Sequence, residues 1–201
     1  MNGHIDWAAV RADFPILHRE VHGKPLVYLD SANTAQKPAA VIDSVDDFYR
    51  RHNANVSRAV HQLGAEATEA YEGARRKIAA FFNIHADDLV LTSGTTQSIN
   101  LVAYSFALPR LRKDDVILVT RMEHHANMVP WQLIAGRTGA RIVPVEITPE
   151  GEIDLPALKA QLQAPVKILA LGHVSNVLGT VNPVAQICDW ARKAGITTVI
   201  D

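Results

Sequence analysis

VILVTRMEHHANMVPW, residues 116–131, joins two periodicities in one stretch. VILVT lacks the polar alternation of a half-exposed strand, so it predicts a short strand covered on both faces. From His125 the tract HANMVPWQLIAGRTG predicts a helix running to Gly139. The same alternation continues in both directions. LVLTS (89–93), RIVPVEI (141–147), KILALGHVS (167–175) and TTVID (197–201) predict further strands. TTQSINLVAYSFAL (95–108), LPALKAQLQ (155–163) and PVAQICDWARKAG (183–195) predict helices, the second capped by Asp154 with Pro156 in its first turn. Strand and helix in alternation predict an α/β fold with a mostly parallel sheet. Ligands of such sheets bind beyond the strand C-termini, which is where Glu123, His124 and His125 fall.

The first third of the chain is organised differently. Asp6 predicts the N-cap of a helix reaching about Phe14, which Pro15 stops. VYLD (27–30) predicts a strand entering the polar turn SANTAQKP. Pro38 then predicts the first position of a helix through AAVIDSVDDFYRR. NANVSRAVHQLG (53–64) predicts a loop. A helix follows from Ala65 to Phe82, with Ala70, Ala74, Ile78 and Phe81 on one face.

The 201 residues suit one domain, or one large piece of a bigger one. Basic residues number 20 and acidic residues 21, so charge makes no case for nucleic acid or an anionic membrane as partner. The N-terminus has no apolar core of signal-peptide length, and no segment is apolar for long enough to span a bilayer. Cys188 is the single cysteine, which permits no internal disulfide. These features predict a soluble, cytoplasmic protein. The sequence stops at TTVID, on a strand that a further helix should cover. That predicts a chain cut inside its own domain; the other reading is a natural protein that ends on a strand.

Four strand tips carry candidate chemistry. LVLTSGTTQSIN (89–100) sets a glycine turn before a helix, whose free N–H groups and positive dipole end suit a phosphate. Ser93, Thr95, Thr96 and Ser98 add hydroxyls. Neither GxxxxGK[ST] nor GxGxxG is present, and a tight turn before a capped helix explains the same residues equally well. HVSNVLGTVNP (173–183) offers Asn176 to a ligand and Gly179 for close backbone approach, or simply caps the next helix. Asp201 ends a strand where acids meet metals, ribose hydroxyls or a cationic cofactor nitrogen, or cap a following helix. His124 and His125 are neighbours, not i, i+4 ligands, and no HExxH or cysteine cluster accompanies them, which argues against a metal. A flat imidazole above another ring is the sharper reading; polar residues at a helix start are the other. Val184, Ile187, Cys188 and Ala191 share a helical face, so Cys188 predicts a small buried hydrophobe.

Taken together, YLDSANTAQKP, SGTTQSINLVA, MEHHANMVPWQ, HVSNVLGTVNP and the final Asp201 resemble the class V aminotransferase family of pyridoxal-phosphate enzymes. Among these the chain is most similar to the SUF-type (group II) cysteine desulfurases, from about Val10 to its last residue. The resemblance implies the three-layer, fold type I architecture of pyridoxal-phosphate transferases. It further implies an N-terminal segment at 1–24, then at 25–201 the N-terminal portion of the cofactor-binding large domain, incomplete at its C-terminus. Thr95 and Thr96 would bind the phosphate of pyridoxal 5'-phosphate. His124 would be the catalytic platform stacked on the pyridine ring, with His125 in support. Asn176 would lie near the ring hydroxyl and the substrate carboxylate, and Asp201 would pair with the pyridine nitrogen.

The implied reaction turns L-cysteine into L-alanine and leaves the sulfur as a persulfide on an enzyme cysteine. A sulfur-acceptor protein of the SUF system would take it for iron–sulfur cluster assembly, and the full-length enzyme would be a homodimer. Two parts of the pattern are absent from these residues. None of Lys24, Lys37, Lys77, Lys113, Lys159, Lys167 or Lys193 has the Ser/Gly-His-Lys context of the Schiff-base lysine, and Cys188 is not at the nucleophile position. Ser57-Arg58 stands where relatives carry His-Arg, and SANT replaces SAAS or SAAT. The 201-residue chain alone is therefore expected to be inactive. A truncated non-catalytic homologue, a selenocysteine lyase and a kynureninase-like hydrolase are the competing readings.

Overall fold

Asp6 caps the first helix, α1 (Trp7–Ala12), accepting from the N–H groups of Ala8 and Ala9. The computed structural model describes residues 5–58, 60–163 and 165–201. Met1–His4 of the N-terminal segment and Ala59 of the NANVSRAVHQLG loop lie outside the described residues. Contacts within the chain define two units, meeting at Leu91 and Thr92.

In the first unit Pro15 ends α1 as expected and opens a 3-10 turn, Pro15–His18. A short hairpin follows that the sequence reading missed: β1 (Glu20–Val21) pairs antiparallel with β2 (Lys24–Pro25) around His22-Gly23. Arg11 Nη2 donates to the carbonyls of Leu17 (2.9 Å) and Leu26 (2.8 Å), fastening α1 to both flanks of the hairpin. VYLD is not a strand. Among the described residues it has no ladder partner, and a strand exists only by pairing. The Tyr28 hydroxyl instead donates to the carbonyl of Thr34 at 2.7 Å, folding the following turn back on it. Pro38 is the N-cap rather than the first residue of α2 (Ala39–Asp47), which continues as a wider turn through His52. Helix α3 (Gln62–Phe81) starts three residues earlier than expected because His61 Nδ1 caps it, accepting from Gly64 N–H. Its buried positions are the small Gly64, Ala67 and Ala79, while Ala70, Ala74, Ile78 and Phe81 are exposed. The 3.6-residue period was legible and its phase was not.

The second unit alternates strand and helix. Helix α4 (Thr95–Val102) leads through a wider turn to β3 (Val116–Thr120), α5 (Val129–Thr138), β4 (Arg141–Val145), α6 (Leu155–Gln161), β5 (Val166–Leu171), α7 (Val184–Lys193) and β6 (Thr197–Ile200). The strands are all parallel, in the order β4-β3-β5-β6. LVLTS is not a strand: Leu89 is extended, but residues 89–93 pair with no strand among the described residues.

Side chains alternate across the sheet. Ile117, Val119, Ile168 and Ala170 face Ile99 and Ala103 after the start of α4, and Trp131, Ile134 and Ala135 of α5. Val116, Leu118, Leu169 and Leu171 face Leu158 of α6 and Ile187 and Ala191 of α7. The result is three layers, helix–sheet–helix. The chain passes from β3 outward to β4, then back across to β5 and β6. Its direction therefore reverses between β3 and β5, and in open parallel sheets the crevice at such a reversal, beyond the strand C-termini, is where ligands bind. No helix among the described residues is long and apolar enough to cross a membrane.

Candidate active site

One side chain ties the tips of β3 and β5 together. Thr120, the last residue of β3, donates through Oγ1 to Glu123 Oε1. The same oxygen accepts from Gly172 N–H just past β5, at 2.9 Å. Glu123 Oε2 accepts from Asn127 Nδ2 at 2.6 Å, and Asn127 Oδ1 accepts from Trp131 Nε1 at 3.0 Å. Asn127 and Trp131 are both 0% exposed, so water does not compete for the bond between them; Glu123 is half-buried. Glu123, Asn127 and Trp131 stand at i, i+4 and i+8, a spacing visible in the sequence. The sequence reading gave them no role, because the link to Gly172 spans 49 residues.

This network holds an arc that presents His124 and His125 to solvent. His124 Nδ1 accepts from Ala126 N–H at 3.1 Å, so in the neutral ring the proton sits on Nε2. The two imidazoles meet edge to face, 6.1 Å apart. The turn His125–Asn127 packs against α4. At the tip of β3, Arg121 pairs with Glu146 at 2.5 Å, and that carboxylate raises the guanidinium above its ordinary range.

Helix α4 supplies the neighbouring corner. Its N-cap, Gly94, has φ 153° and ψ 173°, a conformation that side-chain-bearing residues scarcely adopt. Apart from its chain neighbours, a Cβ built there meets no atom of the described residues within 4 Å, so the space beside Gly94 is open. Not every hydroxyl faces that space. Ser93 Oγ donates to Gln97 Oε1 at 2.8 Å, and Ser98 Oγ lies 2.7 Å from Thr92 Oγ1. Thr95 and Thr96 are exposed, and their hydroxyls make no hydrogen bond among the described residues.

The third corner is the loop after β5. Asn182 Nδ2 donates to Gly172 O at 2.8 Å, Ser175 Oγ accepts from Leu178 N–H at 3.1 Å, and Thr180 Oγ1 donates to Gly151 O at 2.9 Å. Val174 and Val181 form an antiparallel bridge across its base. Asn176 sits exposed on the loop so fastened. Gly179 has φ 72°, a left-handed conformation that the loop's turn requires, with open space around it. Asp201 joins the same edge through its backbone, its N–H donating to Leu171 O (3.0 Å) and its carbonyl accepting from His173 N–H (2.8 Å). Its side chain is exposed, so the cost of a buried carboxylate does not arise.

His124, Asn176 and Asp201 thus follow the C-terminal ends of β3, β5 and β6, and Thr95 and Thr96 open the helix that packs against the turn 125–127. Cys188 does not join them. It is half-buried and lines a cavity of about 650 Å³ with Ala185, Asp189 and Arg192, at the N-terminal end of β6. The expected full burial of Cys188 is not reached: on that helical face Ile187 and Ala191 are buried and Val184 packs against the core, while Cys188 sits at the edge.

The arrangement fits a flat ligand ending in an anion. An open helix N-terminus with two unengaged threonines suits the anion, and an exposed imidazole held at one nitrogen suits the ring. Among the described residues no three His, Cys, Asp or Glu side chains converge as metal ligands would. Residues 27–201 match the family described as aminotransferase class-V. The chain belongs to that family. It is 66% identical over 196 residues to a probable cysteine desulfurase of Xylella fastidiosa, covering 98% of this chain and 47% of the relative. Among solved structures it is similar to the apo cysteine desulfurase of Thermococcus onnurineus (TM-score 0.91, 31% identity, 100% of this chain and 48% of that one). It is also similar to the cysteine desulfurase CsdA of Escherichia coli (TM-score 0.84, 38% identity, 99% and 49%). The three-layer architecture that the class V motifs implied is the one these neighbours share. The chain spans about half the length of the relatives it matches.

Proposed function

We propose that the chain forms the cofactor-binding wall of a SUF-type cysteine desulfurase that uses pyridoxal 5'-phosphate. What supports this reading is that the helix opened by Thr95 packs against the turn after His124, and that His124, Asn176 and Asp201 follow strands on the two sides of one sheet reversal. The first N–H groups of α4 and the hydroxyls of Thr95 and Thr96 hold the phosphate. The ring of His124 lies against the pyridine ring. Asn176 orients the ring hydroxyl and the substrate carboxylate, and the Asp201 carboxylate keeps a proton on the pyridine nitrogen. When bound, the cofactor supplies an electron-poor ring that takes up the electron pair released as the substrate Cα–H bond breaks.

On this reading residues 1–24 are an N-terminal segment and residues 25–201 are the N-terminal portion of the large domain. The Schiff-base lysine and the persulfide cysteine come from sequence outside these 201 residues. The whole enzyme is a cytoplasmic homodimer that converts L-cysteine to L-alanine. It passes the sulfur to an acceptor protein of the SUF system for iron–sulfur cluster assembly.

The test is a fusion of this chain to the remaining half of the Xylella relative. With pyridoxal 5'-phosphate, L-cysteine and a dithiol reductant, the fusion is expected to release alanine and sulfide. The 201-residue chain alone is expected to release neither. A folded fusion that forms no alanine, or persulfide formed by the chain alone, would overturn the proposal.

A further inference from the structure

Resting on that reading, we propose that Glu123 is a positioning residue. It sets the His124 platform through a directional relay of hydrogen bonds that only a carboxylate completes. Both ends of the relay are fixed by groups that can only donate. Trp131 Nε1–H donates, so Asn127 Oδ1 is the acceptor at 3.0 Å, and this sets the orientation of the Asn127 amide. Asn127 Nδ2 must then face Glu123 Oε2 as a donor, at 2.6 Å. At the other end the backbone N–H of Gly172 donates to Oε1 at 2.9 Å, joined there by the Thr120 hydroxyl. Both oxygens of residue 123 must therefore accept.

Glutamine has the same shape but places an NH₂ group against one of these donors. Asn127 cannot turn over to relieve that, because its own NH₂ would then face the indole N–H of Trp131. On the fully buried Asn127 side water does not relieve the mismatch, and on the half-buried Gly172 side the strand tip loses its grip on the arc. The carbonyl of Gly172 is held as well, by Asn182 Nδ2 at 2.8 Å, so the β5 tip is gripped from both sides. His124 rides on the short arc 123–127, whose two ends Glu123 and Asn127 tie together. The same carboxylate fixes that arc to the strand leading to Asn176. Its placement therefore couples the imidazole platform to the opposite wall of the crevice.

The isosteric variant Glu123→Gln and the double variant Glu123→Gln/Asn127→Asp test this. In the double variant the glutamine carbonyl accepts from Gly172 and Thr120. Its NH₂ donates to the new carboxylate at position 127, which still accepts from Trp131, so the relay is complete again with one carboxylate. Titrating the 201-residue chain with pyridoxal 5'-phosphate, Glu123→Gln is expected to weaken binding about tenfold. Inorganic phosphate, which needs only α4, is expected to bind as in the parent chain. The double variant is expected to return to within about threefold of the parent. The NMR signals of the His124 ring and the Trp131 indole should shift in the single variant and return in the double.

A single variant that binds like the parent overturns the proposal, as does a folded double variant no better than the single. If Glu123→Gln fails to fold, the double decides: parent-like binding and His124 signals support the relay, and their loss overturns it. If the parent chain binds no pyridoxal 5'-phosphate, the functional reading fails. The shift and return of the His124 and Trp131 signals then judge the relay alone.

Discussion

Replacing Gly94 by valine is expected to weaken pyridoxal 5'-phosphate binding by about a hundredfold or more. Two effects act in one direction. At φ 153° and ψ 173° the residue occupies a region that valine enters only with strain, so the N-terminus of α4 must rearrange. The added side chain also projects into space that, apart from its chain neighbours, no described residue fills within 4 Å, and which the phosphate reading requires for the ligand. Titration by cofactor absorbance, with pyridoxal as a phosphate-free control, separates the two ends of the ligand. Pyridoxal should lose far less affinity than its phosphate. Equal loss for both would place the phosphate elsewhere.

Trp131→Ala is expected to cost about 3–5 kcal/mol of stability, a large share of the ~5–15 kcal/mol that a typical domain has. Trp131 is the largest fully buried side chain and packs in the core between α5 and the sheet. Its loss also strips Asn127 Oδ1 of its donor, leaving a buried acceptor unpaired. Trp131→Phe keeps most of the apolar volume and loses only the indole N–H, so about 1–3 kcal/mol is expected. Urea denaturation followed by circular dichroism measures both. A phenylalanine variant as damaged as the alanine variant would mean that the indole hydrogen bond, rather than packing, dominates.

These effects show why some parts of the fold were legible in the sequence and others were not. VILVT and the helix behind it were readable because their signals are local: an unbroken apolar run, then helical spacing closed by Gly139 in the left-handed conformation. VYLD and LVLTS carry the same local signal but lack a neighbouring strand to pair with among the described residues. Apolar composition cannot supply that neighbour. The order β4-β3-β5-β6 depends on which way each crossover turns, which leaves no mark on residue periodicity. The same limit applied to the site. Thr95, Thr96, His124 and Asn176 are candidates because each follows a predicted strand, and Asp201 because it ends one; their roles are what the class V resemblance implies. The carboxylate that fastens two of those strand tips leaves no sequence signal of that task, since its partner Gly172 is distant in sequence and contributes only a backbone N–H.

The most direct measurement is a structure of the 201-residue chain with pyridoxal 5'-phosphate bound. The expected result has the phosphate on the N–H groups and hydroxyls of Thr95 and Thr96, the ring against His124, and the ring nitrogen toward Asp201. A cofactor seated away from His124, or a phosphate that leaves the α4 N-terminus empty, would contradict the assignment of this crevice as the cofactor site.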